Sequence, residues 1–343
     1  MRRLVLSRGR GLRGALRALP SGASRHLLPD ALRPVLTRAL PISLGSGALI
    51  ALASCTAVPA ADPPPEQAVP VPQTTAVRPA PAPAPQPTAA ALPPAQFSYA
   101  GEKTQGGWMR GTAPVGTVRL ELNGVPVPLA ADGQFLAAFD RDAGPVATLV
   151  AVRSDGSRAS EALSVAPRDW RIERLNIARG TGGPSEAYMR IRRPELEQIA
   201  AARSRQTGSE GWRQNFIWPA RGRISGLFGS QRVYRGEPGA YHSGIDIAPG
   251  AGTPFAAPAD GVVVLAVDDF SLEGRLLILD HGMGLNSAFL HAQRLDVAEG
   301  QAVRQGQQLG LVGSSGRATG PHLHWSLKWQ DARLDPLLFT GPQ

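Results

Sequence analysis

Two short stretches of the chain carry residue types that do chemistry: Tyr241-His242-Ser243-Gly244-Ile245-Asp246 and Pro321-His322-Leu323-His324-Trp325. The first sets an imidazole and a carboxylate four residues apart. The second sets two imidazoles at i and i+2, which share a face if the segment is a strand. Together they form the donor inventory of a metal site. Catalytic zinc takes three nitrogen or oxygen ligands from the protein and keeps a fourth position for water, and two histidines with one carboxylate is a familiar set. His242, Asp246, His322 and His324 are thus four candidates for three places, which leaves one side chain to handle protons.

The spacing of histidine along the chain points the same way. Of the six histidines, five (His242, His281, His291, His322 and His324) fall in the last third, and none lies between residues 27 and 241. A lone histidine is usually a hydrogen-bonded core or turn residue, and His281 in Asp280-His281-Gly282 reads that way. H-x-x-x-D and H-x-H in strand-like sequence, with His291 between them, are not explained so simply. No Glu stands beside the first histidine as in an H-E-x-x-H site; His291 and His322 are the available bases, with an ordinary pKa near a neutral working pH.

These residues sit in a wider pattern: Trp218-Pro219 through Gly229, His242 to Asp246, Ala257-Pro258-Ala259-Asp260-Gly261, Asp280-His281-Gly282 and His322-Leu323-His324. The pattern resembles the lysostaphin/LytM-type zinc metallopeptidases, family 23 of the metallopeptidases, which cut peptide cross-links in bacterial peptidoglycan. The resemblance covers about residues 213–338. It implies one zinc ion per chain, bound by His242, Asp246 and His324, with His291 and His322 assisting catalysis, and a β-sheet-rich domain of duplicated-hybrid, barrel-like character. Relatives often have Tyr two residues before the catalytic histidine, where this chain has Phe289.

The elements that must position these groups read as short strands between Gly and Pro turns: Gly222–Gly226, Gly261–Val267, Arg275–Leu279, Asn286–His291, Gly310–Val312 and His324–Trp329. No long helical period appears in residues 213–343. The polar, Gly-rich stretch Gly229–Ala240 is expected to wall one side of a groove. Gly313-Ser314-Ser315-Gly316 is expected to wall the other and to offer backbone N–H groups to a peptide.

Upstream, the formal charge of +9 is misleading. Residues 1–54 hold nine arginines against Asp30 alone, and without them the 36 basic and 27 acidic residues fall to 27 and 26. A net charge of +1 removes the main support for nucleic-acid binding. The leader resembles a bacterial secretion signal, arginine-rich and then apolar over Ala39–Ser54. It is followed by Leu52-Ala53-Ser54-Cys55, which resembles a lipobox with Cys55 as the lipidation site. The resemblance implies an outer-membrane lipoprotein held in the periplasmic face of the cell envelope. With Cys55 the only cysteine, the mature chain has no disulfide, so stability outside the cytoplasm rests on packing and metal.

Residues 55–95 read as a Pro/Ala-rich disordered tether of polyproline character, expected to rise about 3.1 Å per residue when extended. Residues 96–168 switch to period two, with Val118, Leu120 and Leu122 expected on one face and Asn123-Gly124 as a hairpin turn. They read as a small, immunoglobulin-like β-sandwich. Residues 169–212 read as a partly helical connector, with helices at Ser185–Ile191 and Pro194–Arg205, Pro194 in a first turn and a face of Leu196, Ile199 and Ala200. In the resembling family, segments upstream of the core sometimes lie in the cleft, and residues 206–216 are the candidates here.

The expected activity is zinc-dependent endopeptidase action on peptidoglycan stem peptides, with D-Ala to meso-diaminopimelate as the expected cross-link and the anchor at Cys55 as the membrane contact. The alternative is a catalytically inactive LytM-type activator of a cell-wall amidase, a class that typically lacks zinc ligands. A carrier-domain reading of Ala257–Val264 and Val297–Val312 requires a lysine at a hairpin tip, and the only lysines, Lys103 and Lys328, are misplaced for it.

Overall fold

A computed structural model of the chain describes residues 91–179 and 183–343. The expected leader, the lipidation site Cys55 and the tether as far as residue 90 lie outside the described residues. The described part is mainly β.

Seven strands between residues 98 and 164 form two antiparallel sheets. One runs in the order Ser98–Gly101, Trp108–Thr112, Gln134–Ala138, and the other in the order Val125–Val127, Thr117–Leu122, Val146–Arg153, Arg158–Ser164. Asn123 and Gly124 take φ of 52° and 79°, the doubly positive turn that Asn-Gly favours and that matches strand twist. The alternation fails at one residue. Val118 is 65% exposed while Leu120 and Leu122 are buried, because the two steps from Thr117 to Arg119 oppose one step, Arg153 to Val152, of the neighbouring strand. That bulge turns Val118 outward. Met109 and Phe135 from one sheet share a buried core with Leu120, Leu149 and Leu163 from the other.

The connector departs from expectation twice. Ile172–Leu175 is a strand, paired in parallel with Gln231–Tyr234; with charged residues at both central positions it carries no alternating signal. The two expected helices are one, Glu186–Ser204, capped by the Ser185 hydroxyl accepting from the Tyr188 N–H. Pro194 lies inside it and cannot donate to the carbonyl of Arg190. The helix survives this loss because tertiary contacts hold it. Arg192 donates to both oxygens of Glu273 at 2.6 Å and to Glu195 at 2.8 Å. Glu195 accepts from the N–H and the hydroxyl of Ser271, each at 2.6 Å. The buried face is therefore Arg192, Glu195 and Ala202, whereas Leu196 stays 44% exposed.

Ten of the remaining strands build one large antiparallel sheet. Its main path is Ala302–Val303, Gly261–Phe270, Gly274–Asp280, Leu285–Leu295, Leu323–Trp329, Ile245–Ala248, Arg223–Gly226. Pro254–Ala256 and Gln308–Val312 pair with each other off this path, and Gln308–Val312 also pairs with Leu285–Leu295. All six strands read from the sequence in this region are present. Gly229–Ala240, expected as a loop, is instead built around a hairpin of Gln231–Tyr234 and Glu237–Tyr241. The sheet's core is aromatic: Phe255, Phe289 and Trp325 are at most 1% exposed, with Phe289 centred 5.5 Å from Phe255 and 6.5 Å from Trp325. Phe289 faces this core, so no hydroxyl reaches the site from that position.

Candidate active site

Strand register brings the distant motifs together. Asp246 and His324 are direct partners across the pairing of Ile245–Ala248 with Leu323–Trp329. Their side chains share a face, with Asp246 Oδ1 2.9 Å from His324 Nδ1. His242, four residues before Asp246, turns its Nε2 to within 3.1 Å of the same carboxylate oxygen and 3.0 Å of His324 Nδ1. Two nitrogens and one oxygen therefore form a triangle with edges near 3 Å. Among the described residues these three side chains are the group able to hold a metal ion.

The donor chemistry fits a cation. His242 Nδ1 donates to the Leu227 carbonyl at 3.1 Å, which leaves Nε2 as the lone-pair nitrogen turned into the triangle. Lone pairs converging this closely repel one another unless a shared proton or a metal cation lies among them. A tetrahedral zinc with ligand bonds of about 2.0–2.1 Å has ligand–ligand edges of about 3.3–3.4 Å, so the triangle needs to open by only a few tenths of an ångström. Burial by itself works to raise the Asp246 carboxyl, but the adjacent His242 and His324 outweigh it and hold the group well below the usual carboxylate range. Burial pulls His242 down, yet Asp246 and the Leu227 carbonyl leave it raised; His324 is lowered by burial.

His291 and His322 stand beside this triangle. The His291 ring centre lies 4.8 Å from that of His322 and 6.4 Å from that of His324. Each ring is oriented through Nδ1, which donates to a backbone carbonyl: Ser315 for His291 at 2.9 Å, Gly320 for His322 at 2.8 Å. Nε2 is then the working nitrogen in both, and that of His322 is 3.7 Å from Asp246 Oδ1. His291 has φ of +65°, uncommon for a residue with a Cβ. The cause is a bulge: three steps from Phe289 to Ala292 oppose two from Leu277 to Arg275, which re-aims the side chain. Burial lowers the His291 pKa, with partial compensation from the Ser315 carbonyl, so the ring is neutral and able to accept a proton at neutral pH.

His281 is fully buried, donating from Nδ1 to the Asp260 carbonyl and accepting at Nε2 from Ser287, both at 2.7 Å; it is structural, as its turn context suggests. The hairpin Gln231–Tyr241 does line the cleft with His242 and Asp246. The Gly313–Gly316 turn acts inwardly: Ser315 orients His291 with its carbonyl, and its hydroxyl donates to Ala292 and accepts from the Arg275 N–H. Residues 206–216 do not enter the cleft. Thr207 donates to Asp280, and the Trp212 N–H donates to the His281 carbonyl at 2.8 Å, at the opposite end of the Gly274–Asp280 strand from His291. Trp212 is 1% exposed, and burial of that indole fixes the segment there.

Three groups were missed by sequence reasoning. A Cβ on Gly226 would overlap Asp246 Oδ2, and one on Gly244 would overlap the Trp325 carbonyl and come within 2.8 Å of His324 Nε2, so both glycines make room for ligands. Arg141, from the sandwich, is 6% exposed and stacks on Trp170 and Tyr241 at 5.1 and 4.6 Å. Its guanidinium also donates to the Gly229 carbonyl and to Gln231, so the sandwich braces the cleft hairpin. The glycines lie inside quoted motifs and were legible as candidates for close approach. Arg141 gives no local signal.

Residues 240–336 match the model of peptidase family M23. Over 115 residues the chain is 36% identical to the peptidoglycan DD-endopeptidase ShyA of Vibrio cholerae, covering 33% of this chain and 26% of that protein. Over 129 residues it is 36% identical to the lipoprotein NlpD/LppB homolog of Pseudomonas aeruginosa, covering 38% and 39%. The chain thus spans well under half of these relatives. A crystal structure from Pseudomonas aeruginosa assigned to peptidase M23 superposes with a TM-score of 0.54 at 29% identity, covering 70% of this chain and 95% of that one.

Proposed function

Residues 240–336 form a peptidase family M23 domain, and from that premise we propose that the chain is a zinc-dependent endopeptidase that hydrolyses peptide cross-links of peptidoglycan in the bacterial cell envelope. The observation that carries this reading is the convergence of His242 Nε2, Asp246 Oδ1 and His324 Nδ1 within 3.1 Å of one another, beside two histidines whose Nδ1 positions are tied down.

In this reading His242, Asp246 and His324 hold one zinc ion. When bound, the metal supplies a Lewis acid that polarises a carbonyl and lowers the pKa of water from 15.7 toward roughly 7. His291, neutral through burial, accepts the proton from the attacking water at Nε2. His322, oriented by the Gly320 carbonyl, stands on the same side, and the proton taken from water passes through these imidazoles to the leaving amine, which returns both rings to their starting state. The bulge and the Ser315 carbonyl keep His291 aimed at the ligand triangle, which removes a rotational search from the chemical step.

Cleavage between D-Ala and meso-diaminopimelate is the expected specificity, with a tether and a lipid on Cys55 placing the domain at the outer membrane. The alternative, an inactive activator of an amidase, is disfavoured by a complete ligand set and two oriented histidines. The test is incubation of the purified chain with cross-linked muropeptide dimers, with and without a chelator, and after zinc is returned. Chelator-sensitive conversion of dimer to monomer, restored by zinc, is the expected result. Intact dimers under every condition would refute it.

A further inference from the structure

The cleft that holds His242 and Asp246 encloses about 930 Å³, and its charged lining is one-sided. Four arginines, Arg171, Arg179, Arg232 and Arg317, stand against Glu173 as the one carboxylate other than Asp246. Arg232 is paired with Glu173 at 2.8 Å. Among the described residues Arg171, Arg179 and Arg317 make neither an ion pair nor a side-chain hydrogen bond, and all three are exposed. The chain beyond residue 54 is close to neutral, at 27 basic and 26 acidic residues, so this surplus is local. It also comes from separate parts of the fold. Arg171 precedes the Ile172–Leu175 strand, while Arg317 follows the turn whose Ser315 orients His291. The Arg317 N–H is itself fixed, donating to the Leu272 carbonyl at 3.0 Å.

A guanidinium is built to grip a carboxylate through two parallel N–H bonds. Like charges gathered in a cleft also raise the local concentration of anionic ligand. Resting on the endopeptidase reading above, we propose that Arg171 and Arg317 are carboxylate receptors, and that the substrate is an anionic peptide bearing free carboxylates near the bond that is cut. A diaminopimelate-type cross-link has this chemistry, because the residue that supplies the leaving amine carries a carboxylate on the same carbon. An oligoglycine bridge carries none, and a cross-link whose carboxyl groups are amidated has lost them.

The experiment uses the full chain and two measurements. Calorimetry compares binding of a diaminopimelate stem tetrapeptide with its carboxyl groups free and with the diaminopimelate carboxyl amidated. Hydrolysis of the corresponding cross-linked dimers gives KM and kcat separately. The free acid is expected to bind about ten- to a hundredfold more tightly than the amide, the range for losing a charge-assisted hydrogen bond. Arg171→Gln and Arg317→Gln should each shrink that preference by raising KM for the free-acid dimer while kcat holds. Both sites are exposed, so folding is expected to survive, and an unchanged melting temperature and zinc content check it. Equal affinity for acid and amide, or a preference that survives both substitutions, overturns the proposal even if the dimers are cut. A preference for the acid without any hydrolysis supports the receptors and sinks the endopeptidase reading instead.

Discussion

His291 donates from Nδ1 to the carbonyl of Ser315 at 2.9 Å while its own backbone sits at φ of +65°. The ring is thus aimed twice, by a bulge in its strand and by a turn 24 residues downstream. Neither device touches the three ligand atoms. The consequence is a separation of roles: His291→Ala is expected to reduce turnover by about a hundredfold or more, the range for a general base, with zinc content unchanged. His242→Ala and His324→Ala are expected to lose zinc and activity together. Metal analysis of each purified variant beside its turnover number checks the division, and zinc loss in His291→Ala would contradict it.

Gly226 and Gly244 leave room that any Cβ would fill, against Asp246 Oδ2 in one case and His324 Nε2 in the other. Gly226→Ala should displace the carboxylate and weaken zinc affinity by about ten- to a hundredfold, the range seen when groups that orient metal ligands are disturbed. Competition with a chromophoric chelator measures it. Unchanged affinity would mean that the Arg223–Gly226 strand yields to the extra methyl.

Arg192 joins the helix Glu186–Ser204 to the hairpin tip at Ser271–Glu273, and the Glu273 carbonyl accepts the N–H of His291 at 3.0 Å. Arg192→Ala leaves two carboxylates facing each other with no cation and should cost about 3 kcal/mol of stability. Because the same tip holds the His291 backbone, kcat should also fall at temperatures where the variant remains folded, while KM and zinc content stay constant. Arg192→Lys should restore part of both, less than fully, since one ammonium cannot make the bidentate contact. A loss of stability with normal kcat would reduce this cluster to a structural role.

His281 has its pKa lowered to about 4 by burial. The unfolded chain binds a proton below about 6.5 and the folded chain does not until near 4, so stability rises with pH across that window and is lost as pH falls through it. The loss should reach about 2 kcal/mol by pH 5. His281→Gln can keep a donor toward the Asp260 carbonyl and an acceptor for Ser287 without titrating. Denaturant melts at pH 7 and pH 5 should show a smaller difference in the variant than in the natural chain. An equal difference would assign the acid sensitivity to other groups.

Much of the site is legible in the sequence because its spacing is local. H-x-x-x-D and H-x-H are short-range patterns, and i, i+2 on a strand places His322 and His324 together whatever surrounds them. The mainly β character follows from period-two runs and Gly/Pro punctuation, and the turn at Asn123-Gly124 from the φ values that pair prefers. By contrast, the register that sets Asp246 opposite His324, 78 residues away, depends on strands pairing across the whole domain. So do the bulges that turn out Val118 and re-aim His291, since a bulge is a mismatch between two strands and neither strand alone contains it. The helix through Pro194 contradicts local propensity, and it is explained by the ion pair of Arg192 to Glu273 and the hydrogen bonds Ser271 donates to Glu195. Arg141 under the cleft hairpin and the arginines gathered in the cleft are separated by long stretches of chain and share no motif. What short-range spacing can encode, the sequence determined alone; which residues meet across a sheet, and what surplus charge they leave in the cleft, was decided by tertiary packing, because those contacts exist only once distant strands have closed on a common core.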